Sequence, residues 1–115
     1  MRKLEDIQKE EKQLNLKEEK LTSEVNQVKR VKESYDQHFY EARHFFDDVC
    51  YQFDKNEQGN FFKSIFDEFS QKSRQVMDYL ENDEEELRIQ KKKVLNKLED
   101  VEYEKRKVLS EEDSE

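Results

Sequence analysis

Apolar residues recur alternately three and four positions apart through nearly the whole chain. Counted from Leu4, this spacing runs to Phe53, and twelve of its fifteen positions are apolar. A second series runs from Phe62 to Val108 with more polar interruptions, which are Ser73, Asp83, Gln90, Lys97 and Glu104. A seven-residue repeat with two apolar positions is typical of long helices that pack against another helix. The pattern therefore predicts two long amphipathic helices, and we call the recurring positions the heptad seam.

A short polar stretch separates the two series. Residues 54–60 contain Gly59, the only glycine of a chain of 115 residues that has no proline. Glycine takes positive φ at no steric cost, which favours a turn here. The sequence therefore predicts one all-α domain, a long antiparallel, coiled-coil-like two-helix hairpin. Its predicted parts are helix 1 over about 3–53, a turn at 54–60, helix 2 over about 61–109 and an acidic tail at 110–115. We expect this tail to be frayed, because acidic side chains at a helix C-terminus oppose the macrodipole.

The two series match when they are laid antiparallel with paired residue numbers summing to 115. This register pairs Phe53 with Phe62 and Phe46 with Phe69 next to the turn. A slip of one heptad keeps much of the apolar matching, but the short connection makes this register the simplest closure. The predicted seam residues around the turn are Tyr35, Phe39, Phe46, Val49, Phe53, Phe62, Phe66, Phe69, Val76 and Leu80.

The same register places charged seam positions opposite one another. Polar layers in a seam typically fix the register at some cost in stability. The predicted charged pairs are Lys32 with Asp83, Glu18 with Lys97, and Glu11 with Glu104. The first two pairs support the register, whereas the third is a mismatch of like charges.

Aromatic residues are concentrated beside the predicted turn. Twelve of the thirteen lie between Tyr35 and Tyr79, and several of them fall off the heptad seam. An apolar stripe wider than one two-helix contact is typical of a helix pair that binds a third element. The candidate partner-binding residues are Tyr40, Phe45, Tyr51, Phe61, Ile65, Met77 and Tyr79. Two interpretations stay open: a partner or oligomer surface, or a thickened local two-helix core.

Composition narrows the function classes. The chain is 45% charged and 32% hydrophobic, with a formal net charge of -8. These values also suit a disordered chain, but the regular spacing of apolar residues argues against disorder. The acidic balance disfavours nucleic acid and anionic membranes as partners, and no apolar run is long enough to span a bilayer. Because the N-terminus lacks the apolar core of a signal peptide, we expect a cytoplasmic protein.

Catalytic and metal-binding motifs are missing from the sequence. His38 and His44 are six residues apart, which sets them on different faces of a helix rather than around one metal ion. A single cysteine, Cys50, excludes an intramolecular disulfide. The acidic runs have no enclosing pocket for general acid–base chemistry. We therefore expect no enzymatic activity, no metal site and no cofactor.

A pattern of residues in the turn and the second helix resembles a known family. It comprises Gly59, Phe61-Phe62, the runs LENDEEEL at 80–87, QKKK at 90–93 and LED at 98–100, then Tyr103 and Lys105-Arg106. The pattern resembles the small α-helical LXG-toxin-associated (Lap-type) targeting proteins of the Firmicute type VIIb secretion system. These are distantly similar to the WXG (ESAT-6-like) helical hairpins.

The resemblance implies a targeting adaptor. Such a protein binds the helical N-terminal LXG domain of a secreted toxin, together with a second small helical targeting protein in some complexes, and promotes export. It can leave the cell with its client without a classical signal peptide. WXG proteins have Trp two positions before the glycine where this chain has Glu57, which argues against a self-dimerising WXG protein. Tyr79 and Asp83 match the Y-x-x-x-D/E export signal, although within the second helix. The alternative function is a self-associating structural coiled-coil protein that forms a homodimer.

Overall fold

Two long α-helices make up the fold, as the heptad pattern predicts. The computed structural model describes residues 2–53 and 57–114, in which α1 spans Leu4–Gln52 and α2 spans Glu57–Ser114. The described residues contain no β-strand. The all-α hairpin class is therefore confirmed. Contacts between α1 and α2 divide the chain into a terminal unit, Met1–Asn26 with Glu85–Glu115, and a central unit, Gln27–Glu84.

The second helix begins earlier than predicted. Because α2 starts at Glu57, Gly59 lies in its first turn rather than in the connection. Gly59 is buried, and no described residue has a positive φ, so its predicted role as the turn glycine is wrong. Glutamate and glutamine at 57 and 58 are good helix formers, and they outweigh one glycine. The rest of the predicted turn, residues 54–56, lies outside the described residues.

The acidic C-terminus is helical. The expectation of a frayed tail from residue 110 is wrong, because α2 continues to Ser114. Glutamate has a good intrinsic helix propensity, and an exposed charge near a helix end changes stability by only about 0.3–1 kcal/mol. Val108, buried against α1 residues, holds this last part of α2 in place.

The terminal unit has a narrow apolar core between the helices. Ile7 is fully buried and packs with Val101 and Val108, and Leu4 and Leu14 pack against this cluster. The predicted register pairs Ile7 with Val108 and Leu14 with Val101, and these residues do share one cluster. Leu21, Val25 and Val94 are also buried in this unit. The apolar seam positions therefore form the core here.

Every second seam position of α2 in the terminal unit lies one residue later than predicted. Lys91 and Leu98 are half-buried, whereas the predicted seam residues Gln90 and Lys97 are exposed. The amine of Lys91 lies 3.8 Å from the Glu18 carboxylate, so the predicted Glu18–Lys97 pair is replaced. The shift follows from composition, because it buries Leu98 and leaves the polar Gln90 and Lys97 in solvent.

The predicted mismatch of Glu11 with Glu104 is resolved by neighbouring cations. Lys105 donates a hydrogen bond to Glu11 at 3.1 Å, and Nε of Arg2 donates one to Glu104 at 3.0 Å. Arg2 also pairs with Glu10. These bonds from Arg2 hold the pKa of Glu104 below its ordinary value, and they raise the pKa of Arg2 through Glu104 first and Glu10 second. Both carboxylates near the chain ends are thus neutralised by their own cation.

A candidate partner-binding surface

Phenylalanine rings in contact join α1 and α2 in the central unit. The centroids of Phe53 and Phe62 lie 5.3 Å apart, and those of Phe46 and Phe69 lie 5.6 Å apart. Both pairs match the predicted register. Phe46 also lies 5.4 Å from Phe66. Val49, also a predicted seam residue, is half-buried. The rings therefore form the contact between the two helices in this unit.

After Ser73, every second seam position of α2 lies one residue later than predicted. Val76 is 40% exposed whereas Met77 is half-buried, so the predicted seam position of Val76 is wrong. Phe39 accordingly stacks on Phe69, with centroids 5.7 Å apart and an interplanar angle of 12°, instead of meeting Val76. Leu80 keeps its half-buried place. The seam thus advances from Ser73 to Met77 by four residues rather than three.

Two polar contacts lie on this shifted part of the seam. The Tyr35 hydroxyl donates a hydrogen bond of 3.2 Å to Oγ of Ser73, which is 4% exposed. The Lys32 amine donates one of 3.1 Å to Glu84 rather than pairing with Asp83 as predicted. Glu84 follows Leu80 by four residues, so the shifted seam brings Glu84 inward. Both contacts satisfy polar groups that would otherwise lose water on burial.

A small cavity opens beside these contacts. Its volume is about 140 Å³. The lining residues are Tyr35, Asp36, Phe39, Ser73, Arg74 and Met77. Met77, predicted to bind a partner, therefore contributes to the helix contact and to the cavity wall.

The other predicted partner-binding residues are exposed. The exposed fraction is 60% to 87% for the five aromatic residues and 37% for the isoleucine. They are Tyr40, Phe45, Tyr51, Phe61, Tyr79 and Ile65. Neighbouring rings fix the orientation of some of them: Phe45 contacts Phe46 edge to face at 5.9 Å, and Phe61 contacts Phe62 at 5.8 Å. In the described part of the chain, these aromatics do not thicken a closed core, because most of each ring remains in solvent.

Sequence reasoning missed two exposed apolar residues of the central unit. Val31 is 47% exposed, and Val76 is exposed although it was assigned to the seam. Both directly precede a half-buried residue of the helix contact, Lys32 and Met77. That position beside the seam is the signal that could have identified Val31, whereas Val76 required knowledge of the shift.

The two histidines and the cysteine, the residues considered for metal binding or thiol chemistry, do not form a common site among the described residues. His38 and His44 are exposed, and the His44 ring contacts Tyr40 edge to face at 4.4 Å. Cys50 is a half-buried free thiol. Among the described residues, no three His, Cys, Asp or Glu side chains are close enough to hold a metal ion.

No described helix is apolar over a length that could cross a membrane. Tyr79 and Asp83 both lie within α2, with Tyr79 exposed and Asp83 half-buried.

These features define a class of protein: an all-α helical hairpin with aromatic rings packed along its seam and further aromatic side chains exposed beside it. The chain belongs to the family described as "Protein of unknown function (DUF3958)", whose model matches residues 2–108. No curated protein and no solved structure matches the chain.

Proposed function

We propose that this protein is a non-enzymatic targeting adaptor that binds the helical N-terminal LXG domain of a secreted toxin and promotes its export by a type VII secretion system. The observation that carries the binding role is the exposure of Tyr40, Phe45, Tyr51, Phe61 and Tyr79 on one unit of the fold. Large exposed aromatic residues in a cluster are typical of protein interfaces, where tyrosine and other aromatics are enriched. The class of client comes from the resemblance of the turn and second helix to LXG-associated proteins.

The contrast between the two units supports a binding site in the central unit. In the terminal unit the helix contact contains small aliphatic side chains and ion pairs. In the central unit, six phenylalanine rings already form the helix contact, and five further aromatic rings remain outside it. A hairpin needs only the first set of rings to close. The second set is therefore available to an external helix.

Co-expression tests this function. The protein is produced with the LXG-type protein encoded beside its gene, and the complex is purified through a tag on the toxin domain. We expect at least one of Phe45→Glu and Tyr40→Glu to lower recovery of the complex, because each introduces a charge among exposed aromatics. Lys12→Glu changes an exposed residue of the terminal unit and serves as the control. Equal recovery of all three variants would contradict the proposal.

Self-association is the second candidate function, because the same exposed aromatics can pair with a second copy. Sedimentation equilibrium of the purified protein separates the two functions. A monomer at micromolar concentration supports the adaptor, whereas a tight dimer that Phe45→Glu dissociates supports the structural coiled-coil protein. Helix content by circular dichroism shows that each variant remains folded.

A further inference from the structure

The central unit has two unlike sides. In an antiparallel helix pair, residues that directly follow seam positions lie on one side, and residues that directly precede them lie on the other. The cavity shows the first side: it is lined by Asp36, which follows Tyr35, and by Arg74, which follows Ser73. We call this the cavity side and the opposite one the open side.

Most of the exposed apolar residues of the central unit lie on the open side. Each directly precedes a residue of the helix contact, as Phe45 precedes Phe46 and Ile65 precedes Phe66. The full set, which we call the open face, is Val31, Phe45, Phe61, Ile65, Val76 and Tyr79. Tyr40 instead follows Phe39 and belongs to the cavity side. Tyr51 lies two residues from Val49 and from Phe53 and belongs to neither side. The predicted partner-binding residues therefore do not share one side, and the open side holds the larger apolar surface.

Acidic residues border the open face. On α1, Glu41 and Asp48 are seven residues apart, so they share one column, and each directly precedes a seam position. Both are exposed. On α2, Glu68 and Lys72 pair with each other at 3.1 Å and add no net charge, while Asp83 adds a half-buried acid. Among the described residues of the open side, the charge left after this pairing is therefore negative.

The cavity side carries charges of both signs. Its exposed α1 column holds Glu33 and Asp47 on either side of Tyr40, and Arg43 lies beside them. On α2, the exposed charged residues of the central unit that follow seam positions are two cations and three acids: Lys63, Arg74, Asp67, Asp78 and Glu81. Among the described residues of the central unit, the cavity side thus carries several cations among its acids, whereas the single cation of the open side is paired with Glu68. An apolar face with such an acidic border favours a basic partner.

We propose that the open face binds an amphipathic helix whose apolar stripe is flanked by lysine or arginine. This inference rests on the proposed function, because it specifies the helix of the client that the adaptor binds. A second copy of this chain is a poor occupant, since its own open face has the same acidic border. The basic flank supplies the opposite charge, and the six apolar side chains accept the stripe.

The first test compares two matched substitutions on α1. Phe45 and Tyr40 are 64% and 60% exposed and lie on opposite sides. Titration calorimetry with the LXG domain encoded beside the gene measures Kd for Phe45→Ser and Tyr40→Ser in the full chain. We expect Phe45→Ser to weaken binding by about tenfold or more, as for a central interface aromatic, and Tyr40→Ser by less than about twofold. A larger effect of Tyr40→Ser overturns the assignment to the open face.

The second test compares two double variants of equal charge, each of which changes one exposed glutamate and one exposed aspartate of α1. One neutralises the open-side column with Glu41→Gln and Asp48→Asn, and the other neutralises the cavity-side column with Glu33→Gln and Asp47→Asn. We expect the first to weaken binding by about threefold or more at low salt and to lose this effect at high salt. The second leaves Kd nearly unchanged. Equal effects of both variants, or none from the first, overturn the basic partner.

Failure of this inference can be told apart from failure of the proposed function. If the LXG domain binds but depends on Tyr40 rather than Phe45, the function stands and the open face is wrong. If the LXG domain does not bind, the function is wrong, and two designed amphipathic peptides decide the face. A lysine-flanked peptide that binds, and is weakened by Phe45→Ser, supports the inference. Equal binding of a glutamate-flanked peptide, or a dimer of the protein that Phe45→Ser dissociates, overturns it.

Discussion

Ser73 shows how one small polar residue shapes the seam. An apolar residue is expected at this position of a coiled coil, but serine leaves room for Tyr35 to donate its hydroxyl proton to Oγ across the helix contact. Large rings on α1 and a small side chain on α2 therefore fit together. The sequence predicts the position of Ser73 in the seam but not its hydrogen bond, because that bond depends on the rotation of α2.

Removal of this bond should be measurable. We expect Ser73→Ala to lower the free energy of unfolding by about 1 kcal/mol relative to Ser64→Ala, because the half-buried Tyr35 hydroxyl loses its acceptor. Ser64 is exposed on the same helix, so both variants gain the helix propensity of alanine. Urea denaturation followed by circular dichroism gives both values. Equal stabilities would show that the bond contributes nothing.

Glu104 should make the stability of the fold depend on pH. Its pKa lies below the ordinary value because Arg2 donates hydrogen bonds to it. A carboxylate with a lowered folded-state pKa contributes stability above its unfolded pKa, and this contribution disappears as the pH falls through the folded value. We therefore expect Glu104→Gln to lower Tm at neutral pH but to have little effect in strong acid.

Thermal denaturation at a series of pH values measures this dependence. Glu102→Gln is the control, because Glu102 is an exposed neighbour on α2. A difference between Glu104→Gln and the wild type that stays constant from neutral pH to strong acid would show that the Arg2 contact does not stabilise the fold.

At the scale of the helices, the seam shift on α2 means that Met77, rather than its neighbour Val76, should contribute to the free energy of unfolding. We expect Met77→Ala to cost about 1–2 kcal/mol of unfolding free energy, because Met77 is half-buried between the helices and adjoins the cavity. Val76→Ala should change it by less than about 0.5 kcal/mol, because Val76 is exposed. Chemical denaturation of both variants measures the two effects. A larger loss of unfolding free energy from Val76→Ala than from Met77→Ala would show that Val76, and not Met77, is the seam residue.

The heptad pattern predicts both helices, their antiparallel pairing and the register near Phe53 and Phe62. These follow from residue spacing, which a long helix converts directly into a face. The exact rotation of α2 was not predictable from spacing, because the seam positions at 83, 90, 97 and 104 are polar. Ion pairs contribute to the choice: Glu84, Lys91 and Lys105 reach partners on α1.

The predictions for the two ends of α2 are wrong for a different reason. A single glycine suggested a turn around residue 59, and acidic residues suggested a frayed tail from 110, but α2 spans Glu57–Ser114. Each signal is worth about 1 kcal/mol or less. Local helix formers and the packing of Val108 together exceed it. The exposed aromatics were predictable as residues off the seam, whereas the assignment of most of them to one side or the other required the cavity and its lining.

At the scale of the whole molecule, the hairpin keeps its helix contact and its candidate binding surface on different side chains. The phenylalanine rings of the seam join the helices in the central unit, and the residues of the open face lie outside this contact. This separation means that substitutions on the open face should change binding without unfolding the protein. Circular dichroism and Tm of Phe45→Ser should match the wild type closely, and a loss of helix content would place Phe45 within the fold instead.

The most direct test of the proposed targeting role is export of an LXG toxin from the organism that encodes this protein. The gene is deleted, and the LXG toxin is quantified in the culture medium and in the cells after complementation with wild type, Phe45→Glu or Lys12→Glu. We predict that deletion stops export, that wild type and Lys12→Glu restore it, and that Phe45→Glu does not. Toxin that reaches the medium equally well without the gene would contradict the proposed function.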